Sequence, residues 1–139
     1  MRRSNGARAI SLGLQIADLT AHFSQFRFVR SSMSWFGYLQ PTDNSPNYRI
    51  KISYCPPGVP KTWVLDPVPH SDAKHRYTDL SLCLYDHRIE EWHSGLFLSE
   101  TIVPWTAEWL FYYEAWLIDP EGRWFGPEAS HGVIKSPSR

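Results

Sequence analysis

At 139 residues and 16.2 kDa, the chain has room for one domain built around one hydrophobic core. Its 14 Lys+Arg balance 14 Asp+Glu, and the pI is near 7.0, so electrostatics give no reason to expect a nucleic acid or an anionic membrane as the main partner. Hydrophobic residues at 42% and charged residues at 20% exclude a mostly disordered chain.

The opening Met1-Arg2-Arg3 runs into Ser4-Asn5-Gly6, and Arg8, Gln15 and Asp18 follow. That is not the pattern of a secretory signal, and the expectation is a cytoplasmic protein with reduced thiols. From Arg8 to Ser24, two apolar rows keep helical spacing: Ile10, Leu14, Ala17 and Ala21, then Leu12, Ile16, Leu19 and Phe23. Together they predict an amphipathic helix with a wide buried stripe, which Gly13 weakens by about 1 kcal/mol. Phe26 and Phe28 alternate with Arg27, and Trp35 to Leu39 continues the strand character. Pro41 to Asn47 is a turn. Beyond it, Tyr48, Ile50, Ile52 and Tyr54 fall on one face and Arg49, Lys51 and Ser53 on the other, as in a half-buried antiparallel strand.

Cys55 to Pro60 breaks that strand, Thr62 to Leu65 makes another, and Pro67 to about His75 reads as irregular. Tyr77 to Tyr85 alternates Leu80, Leu82 and Leu84; if extended, it buries all three and turns Cys83 to the opposite side. Thr101 to Leu117 predicts a long helix, with Pro104 in its first turn and Trp105, Trp109, Tyr112 and Trp116 at helical spacing. Pro104, Glu108 and Glu114 interrupt this apolar run, so it is no membrane span. The ordered core should cover about 8–131 of a single 1–139 domain, with 132–139 frayed. Strands grouped between segregated helices give an α+β class. Seven Trp, seven Tyr and seven Phe make up 15% of the chain, which implies an aromatic core, an aromatic contact surface, or both.

Cys83 is the first chemical candidate. It can be a small buried hydrophobe. It can also be a usable thiolate, since His70, Asp72, Lys74, His75, Arg76, Asp79, Asp86, His87 and Arg88 flank it on what reads as a partly exposed loop. Cys55, ending a strand before two prolines, lacks such neighbours and reads as structural. His75, Cys83, His87 and His93 have spacings of eight, four and six, which match no zinc pattern; no metal or cofactor is expected. There is no Gly-rich phosphate loop and no nucleophile elbow. A Cys-His-Asp hydrolase stays open on inventory alone.

The run His75-Arg76-Tyr77-Thr78-Asp79-Leu80-Ser81-Leu82-Cys83-Leu84 resembles the active-site segment of the ubiquitin-conjugating enzyme family. That family has a His-Pro-Asn triplet, a hydrophobic residue, Tyr, a short acidic turn and then Cys-Leu. Aligned on Cys83, His75 takes the place of the triplet's Asn, while the Pro and Asn themselves are absent. Tyr48 to Pro56, followed by Pro60 to Val64, resembles the family's central strands and proline-rich connection. Trp92 lies nine residues after Cys83, close to the family's Trp. Trp109-Leu110, Tyr113-Glu114, Trp116-Leu117 and Gly122 to Gly126 are similar to the bacterial branch, found in antiphage islands that include cyclic-oligonucleotide signalling (CBASS) systems.

The resemblance implies a UBC-like fold: an N-terminal helix, a four-stranded antiparallel meander, an active-site cysteine loop and a long crossing helix. It implies transthiolation, with Cys83 taking up a protein C-terminus as a thioester and passing it to an amine. His75 is then the candidate oxyanion donor or else a structural loop histidine, and Asp119 and His131 are candidate bases. The partners implied are proteins: a thioester donor or activating enzyme, and a ubiquitin-like modifier or nucleotidyltransferase as cargo. No nucleic acid or membrane partner is expected, and the chain should be a monomer or weak oligomer. Two other classes stay open: a catalytically inert UBC-like binding module, and a cysteine hydrolase or metal-binding protein.

Overall fold

A computed structural model describes residues 8–127. The end of the expected core, residues 128–131, and the tail 132–139 lie outside the described residues. The chain forms α1 (Leu12–His22), β1 (Arg27–Val29), β2 (Ser34–Leu39), β3 (Tyr48–Ser53), β4 (Lys61–Asp66) and α2 (Ile102–Ile118). Single 3-10 turns occur at Arg30–Ser32 and His87–Ile89. The four strands pair antiparallel in the order β1-β2-β3-β4, so the meander and the α+β class are as expected.

Alternation explains the sheet. Tyr48, Ile50 and Ile52 of β3 are buried, with Tyr54 just beyond, while Arg49 is exposed and Lys51 half-buried on the other face. Trp35 opposes Ile52 and is fully buried. Gly37, opposite Ile50, admits no side chain, because a Cβ there would stand 2.5 Å from the Phe26 ring. On the outer face, cations lie over rings: Arg49 over Phe36 at 5.3 Å and Lys51 over Trp63 at 5.2 Å.

The first helix is less apolar on its buried side than its two rows suggest. Ser11 caps it, its side chain accepting from the Leu14 amide at 3.1 Å. Leu12, Ile16, Leu19 and Phe23 face the core, but Leu14 of the other row is 51% exposed. The buried stripe is therefore one row wide. Gln15 completes it: the side chain is fully buried, donating from Nε2 to Leu96 O at 2.9 Å and accepting at Oε1 from the Leu98 amide at 3.0 Å. A polar residue thus fastens α1 to the segment leading into α2.

The segment from Tyr77 to Tyr85 does not take the extended form that would set Cys83 opposite the leucines; it holds an isolated bridge, Arg76 with Leu82. Leu80 sits at φ 72 and is 55% exposed, so the alternation breaks there. Leu82 and Cys83 are both buried rather than on opposite faces.

Helix α2 carries Pro104 in its first turn, where the missing amide costs nothing. It buries Ile102, Val103, Trp109, Leu110 and Tyr113 in the common core. Glu114 ties it to the sheet side, accepting from Ser45 Oγ and Tyr48 Oη, each at 2.7 Å. Tyr113 Oη accepts from the His70 amide at 2.8 Å, fixing the irregular chain after β4. Among the described residues, no helix is long and apolar enough to cross a membrane.

Candidate functional site

The irregular chain after β4 makes a tight loop whose purpose is visible in its hydrogen bonds. Asp79 Oδ1 accepts from the Ser81 amide at 2.9 Å and from Ser81 Oγ at 2.6 Å, closing an Asx turn around Leu80. Its other oxygen meets Lys61 Nζ at 2.9 Å, and its carbonyl accepts from Trp63 Nε1 at 2.9 Å, so the turn is pinned to β4. Leu82 N donates to Thr62 O at 2.8 Å, a second tie to the same strand. Burial works against ionisation of Asp79, yet the bonds from Ser81 and Lys61 outweigh it and hold the carboxyl at about 2.

The next residue is Cys83. Its amide donates to His75 O at 2.8 Å, and the same carbonyl accepts from Trp109 Nε1 at 3.3 Å. His75 stands at φ 61, a left-handed conformation that Asn, Asp and His adopt more readily than bulkier residues. That conformation is what aims its carbonyl at Cys83. The imidazole is itself buried and packs against Trp124, ring centroids 4.9 Å apart. The structure therefore brings His75 and Cys83 together through the backbone.

Cys83 is not the partly exposed thiol that its polar neighbours suggest. It is 5% exposed, and burial pushes the thiol up to about 12; the neighbouring Tyr77 hydroxyl pulls the other way, and Asp79 adds to the rise. At neutral pH, only roughly one molecule in 10^5 then carries a thiolate. Tyr77, which composition and spacing do not single out although it stands in the His75-Arg76-Tyr77 run, is thus a candidate site residue. Replacing it with Phe should push the thiol further up and slow Cys83 alkylation several-fold at pH 8, read by mass spectrometry in a Cys55→Ser background. An unchanged rate would show that the hydroxyl does not serve the sulfur.

Cys83 borders a cleft of about 320 Å³, walled by Trp105, Trp109, Tyr112 and Trp124 and edged by Asp86, Glu91 and Glu108. Asp86 donates its amide to Glu91 Oε1 at 2.8 Å, and its carboxylate accepts from the Arg88 amide at 2.9 Å. Trp124 forms a roof in contact with His75, Trp109 and Tyr112.

Asp119 does not line this cleft. It ends α2 and holds the following turn: Arg123 donates to it from Nη2 at 2.9 Å and Nε at 3.1 Å, and the amides of Glu121 and Arg123 add two more bonds. The Arg123 guanidinium holds its carboxyl at about 2. His131 lies outside the described residues. Cys55, expected to be structural, is exposed, and both cysteines are free. Among the described residues, no group of three or more His, Cys, Asp or Glu side chains could hold a metal ion.

The Asp79 turn should be acid-sensitive. Its carboxyl sits below its ordinary 3.8, so what it contributes is complete above about pH 4 and is lost as the pH falls through 2. Fluorescence of Trp63, bonded to Asp79, should shift in that window in the wild type and lose the step in Asp79→Asn. A step that persists in Asp79→Asn would contradict this.

Residues 15–132 match the protein family described as Type II CBASS E2 protein. No curated protein matches the chain.

Proposed function

Because the chain belongs to the Type II CBASS E2 family, we propose that it carries a protein C-terminus as a thioester on Cys83 and passes it to an amine in bacterial antiphage defence. The family implies work with other CBASS proteins. In the reading proposed, these are a thioester donor or activating enzyme and a cargo, either a ubiquitin-like modifier or a nucleotidyltransferase. The observation that carries it is the placement of Cys83: its amide is fixed by the His75 carbonyl, and the residue lines a cleft walled by Trp105, Trp109, Tyr112 and Trp124.

Loading begins when the Cys83 sulfur, as thiolate, attacks the carbonyl carbon of the donor thioester. A new C–S bond forms, the old one breaks, and the donor leaves as a thiolate. In transfer, the amine attacks the same carbon, C–N forms, C–S breaks, Cys83 leaves and the amine's proton goes to a base. A thiol with a raised pKa is a poor leaving group, which favours acyl passage onto Cys83 and protects the thioester from water. The same property makes the thiolate scarce, so loading depends on a partner that opens the cleft. Each attack builds an oxyanion. With the family's asparagine absent, Tyr77 and His75 are the candidate donors, Tyr77 because its hydroxyl lowers the thiol pKa against the effect of burial. For the proton, Asp86, Glu91 and Glu108 edge the cleft, whereas Asp119 is committed to Arg123. His131 stays a candidate base on the resemblance alone.

The test is an adduct. Incubated with the proteins encoded beside it, the wild type should gain a thiol-reducible mass, Cys83→Ala none, and Cys83→Ser an ester that resists thiols. The buried, protonated thiol favours a second reading, an inert protein-binding module. It predicts a stable complex with the same partner and no covalent mass.

A further inference from the structure

We infer that residues 119–127 are a strap that shuts Cys83 away, and that the Asp119–Arg123 pair is the clasp that keeps it shut. The inference rests on the carrier reading proposed above and deepens it, since it names the part that a loading partner must lift. It also gives Asp119 a task other than that of a base. Asp119 acts on Cys83 through Trp124, as a positioning residue.

The strap is fastened differently at its two ends. At the near end the Asp119 carboxylate accepts four hydrogen bonds: from Arg123 Nη2 at 2.9 Å and Nε at 3.1 Å, and from the amides of Glu121 at 3.1 Å and Arg123 at 2.8 Å. Gly122 donates its amide to the Asp119 carbonyl at 3.0 Å and takes φ 64, so the chain doubles back along α2. Beyond the clasp, Trp124 and Gly126 are half-buried while Arg123, Phe125 and Pro127 are exposed, the alternation of an extended segment laid on a surface. Trp124 packs on His75, Trp109 and Tyr112, and Pro127 reaches the cleft that Cys83 lines. Among the described residues, no hydrogen bond joins 124–127 to the rest of the chain. Packing on rings holds this part down, so it can lift as a unit while α2 and the sheet stay in place.

Alkylation of Cys83 by iodoacetamide reads the opening, in Cys55→Ser protein because exposed Cys55 would otherwise react. The Cys83 thiolate forms the C–S bond, iodide leaves, and the rate follows the open fraction when opening is a rapid pre-equilibrium. Arg123→Ala and Asp119→Ala should each raise the rate about three- to tenfold at pH 8, the range of a charge-assisted pair. The double variant should match Asp119→Ala, since Arg123 then has nothing to hold. Gly126→Ala should raise the rate without touching a charge, because its Cβ would stand 2.4 Å from the Tyr112 ring and wedge the far end off. In a Trp124→Ala background, already open, Arg123→Ala should add nothing. Urea up to about 1 M should leave the rate nearly flat, since lifting a strap exposes little surface. Unchanged rates in both Arg123→Ala and Gly126→Ala, full additivity with Trp124→Ala, or a rise in step with global unfolding would each overturn the inference.

Loading separates the strap from the reading it rests on. With the proteins encoded beside it, Arg123→Ala should form the thiol-reducible adduct faster than the wild type. If neither forms an adduct but the alkylation pattern holds, the carrier reading fails and the strap survives it. If Asp119→Ala slows discharge of the loaded thioester and leaves alkylation at the wild-type rate, Asp119 is a base and the clasp is overturned.

Discussion

Gln15→Leu is expected to destabilise the protein by about 3 kcal/mol, measured by urea unfolding. The substitution keeps the volume and removes both polar atoms. Leu98 N–H and Leu96 C=O then lose their partner in a place where Gln15 is fully buried, and each such orphan costs about 1–3 kcal/mol. The added apolar surface offsets only part of that. Against a domain stability of about 5–15 kcal/mol, the loss is large. Its structural expression should be release of α1, because two single hydrogen bonds, Ser99 Oγ to Asp18 and Ile10 N to Ser94 O, are the other polar ties on that side among the described residues. Amide exchange should therefore rise first in α1 and near Leu98. A loss under about 0.5 kcal/mol would mean that the two backbone groups find other partners.

Trp124→Ala is expected to raise Cys83 alkylation by iodoacetamide at least tenfold at pH 8. Burial is the largest cause of the raised thiol pKa. Trp124 packs on His75 at 4.9 Å, Trp109 at 5.6 Å and Tyr112 at 6.4 Å, and it lines the same cleft as Cys83. The path of the chain keeps it there. Arg123 grips Asp119, and Gly126 then passes so close to Tyr112 that a Cβ would stand 2.4 Å from that ring. Truncating Trp124 admits water over the sulfur, and each unit by which the thiol pKa falls back towards 9.0 multiplies the thiolate about tenfold. Circular dichroism should stay close to wild type, since α1 and the sheet do not depend on this ring. Unchanged alkylation in a folded variant would show that other groups bury the cysteine.

The parts of the molecule legible in the sequence are those where one rule acts alone. β3 alternates cleanly because one face is core and the other solvent, and the structure buries Tyr48, Ile50 and Ile52 accordingly. α2 announces itself by Pro104 and aromatic spacing, and it runs within a residue of the expected span. The alternation of Leu80, Leu82 and Leu84 misleads because Asp79 and Ser81 offer the backbone a turn that outcompetes a strand. Gln15 reads as a surface residue because its partners lie more than eighty positions away.

The candidate site shows the same division. Cys83 stands out by its neighbours, and its run of residues carries the family resemblance. Its burial was not legible: the roof comes from Trp124, and composition cannot say where a C-terminal segment returns. Asp119 is a candidate base only by resemblance, and its i, i+4 partner Arg123, visible in the sequence, is what holds it at the helix end.

The central claim is that a buried thiol, not the exposed one, carries the acyl group. The direct measurement is peptide mapping of the adduct formed with the neighbouring gene products, under conditions that preserve thioesters. The added mass should sit on the peptide containing Cys83, disappear with neutral hydroxylamine, and be absent from Cys55 although that thiol is the more accessible. An adduct on Cys55, or one that persists in Cys83→Ala, would contradict it.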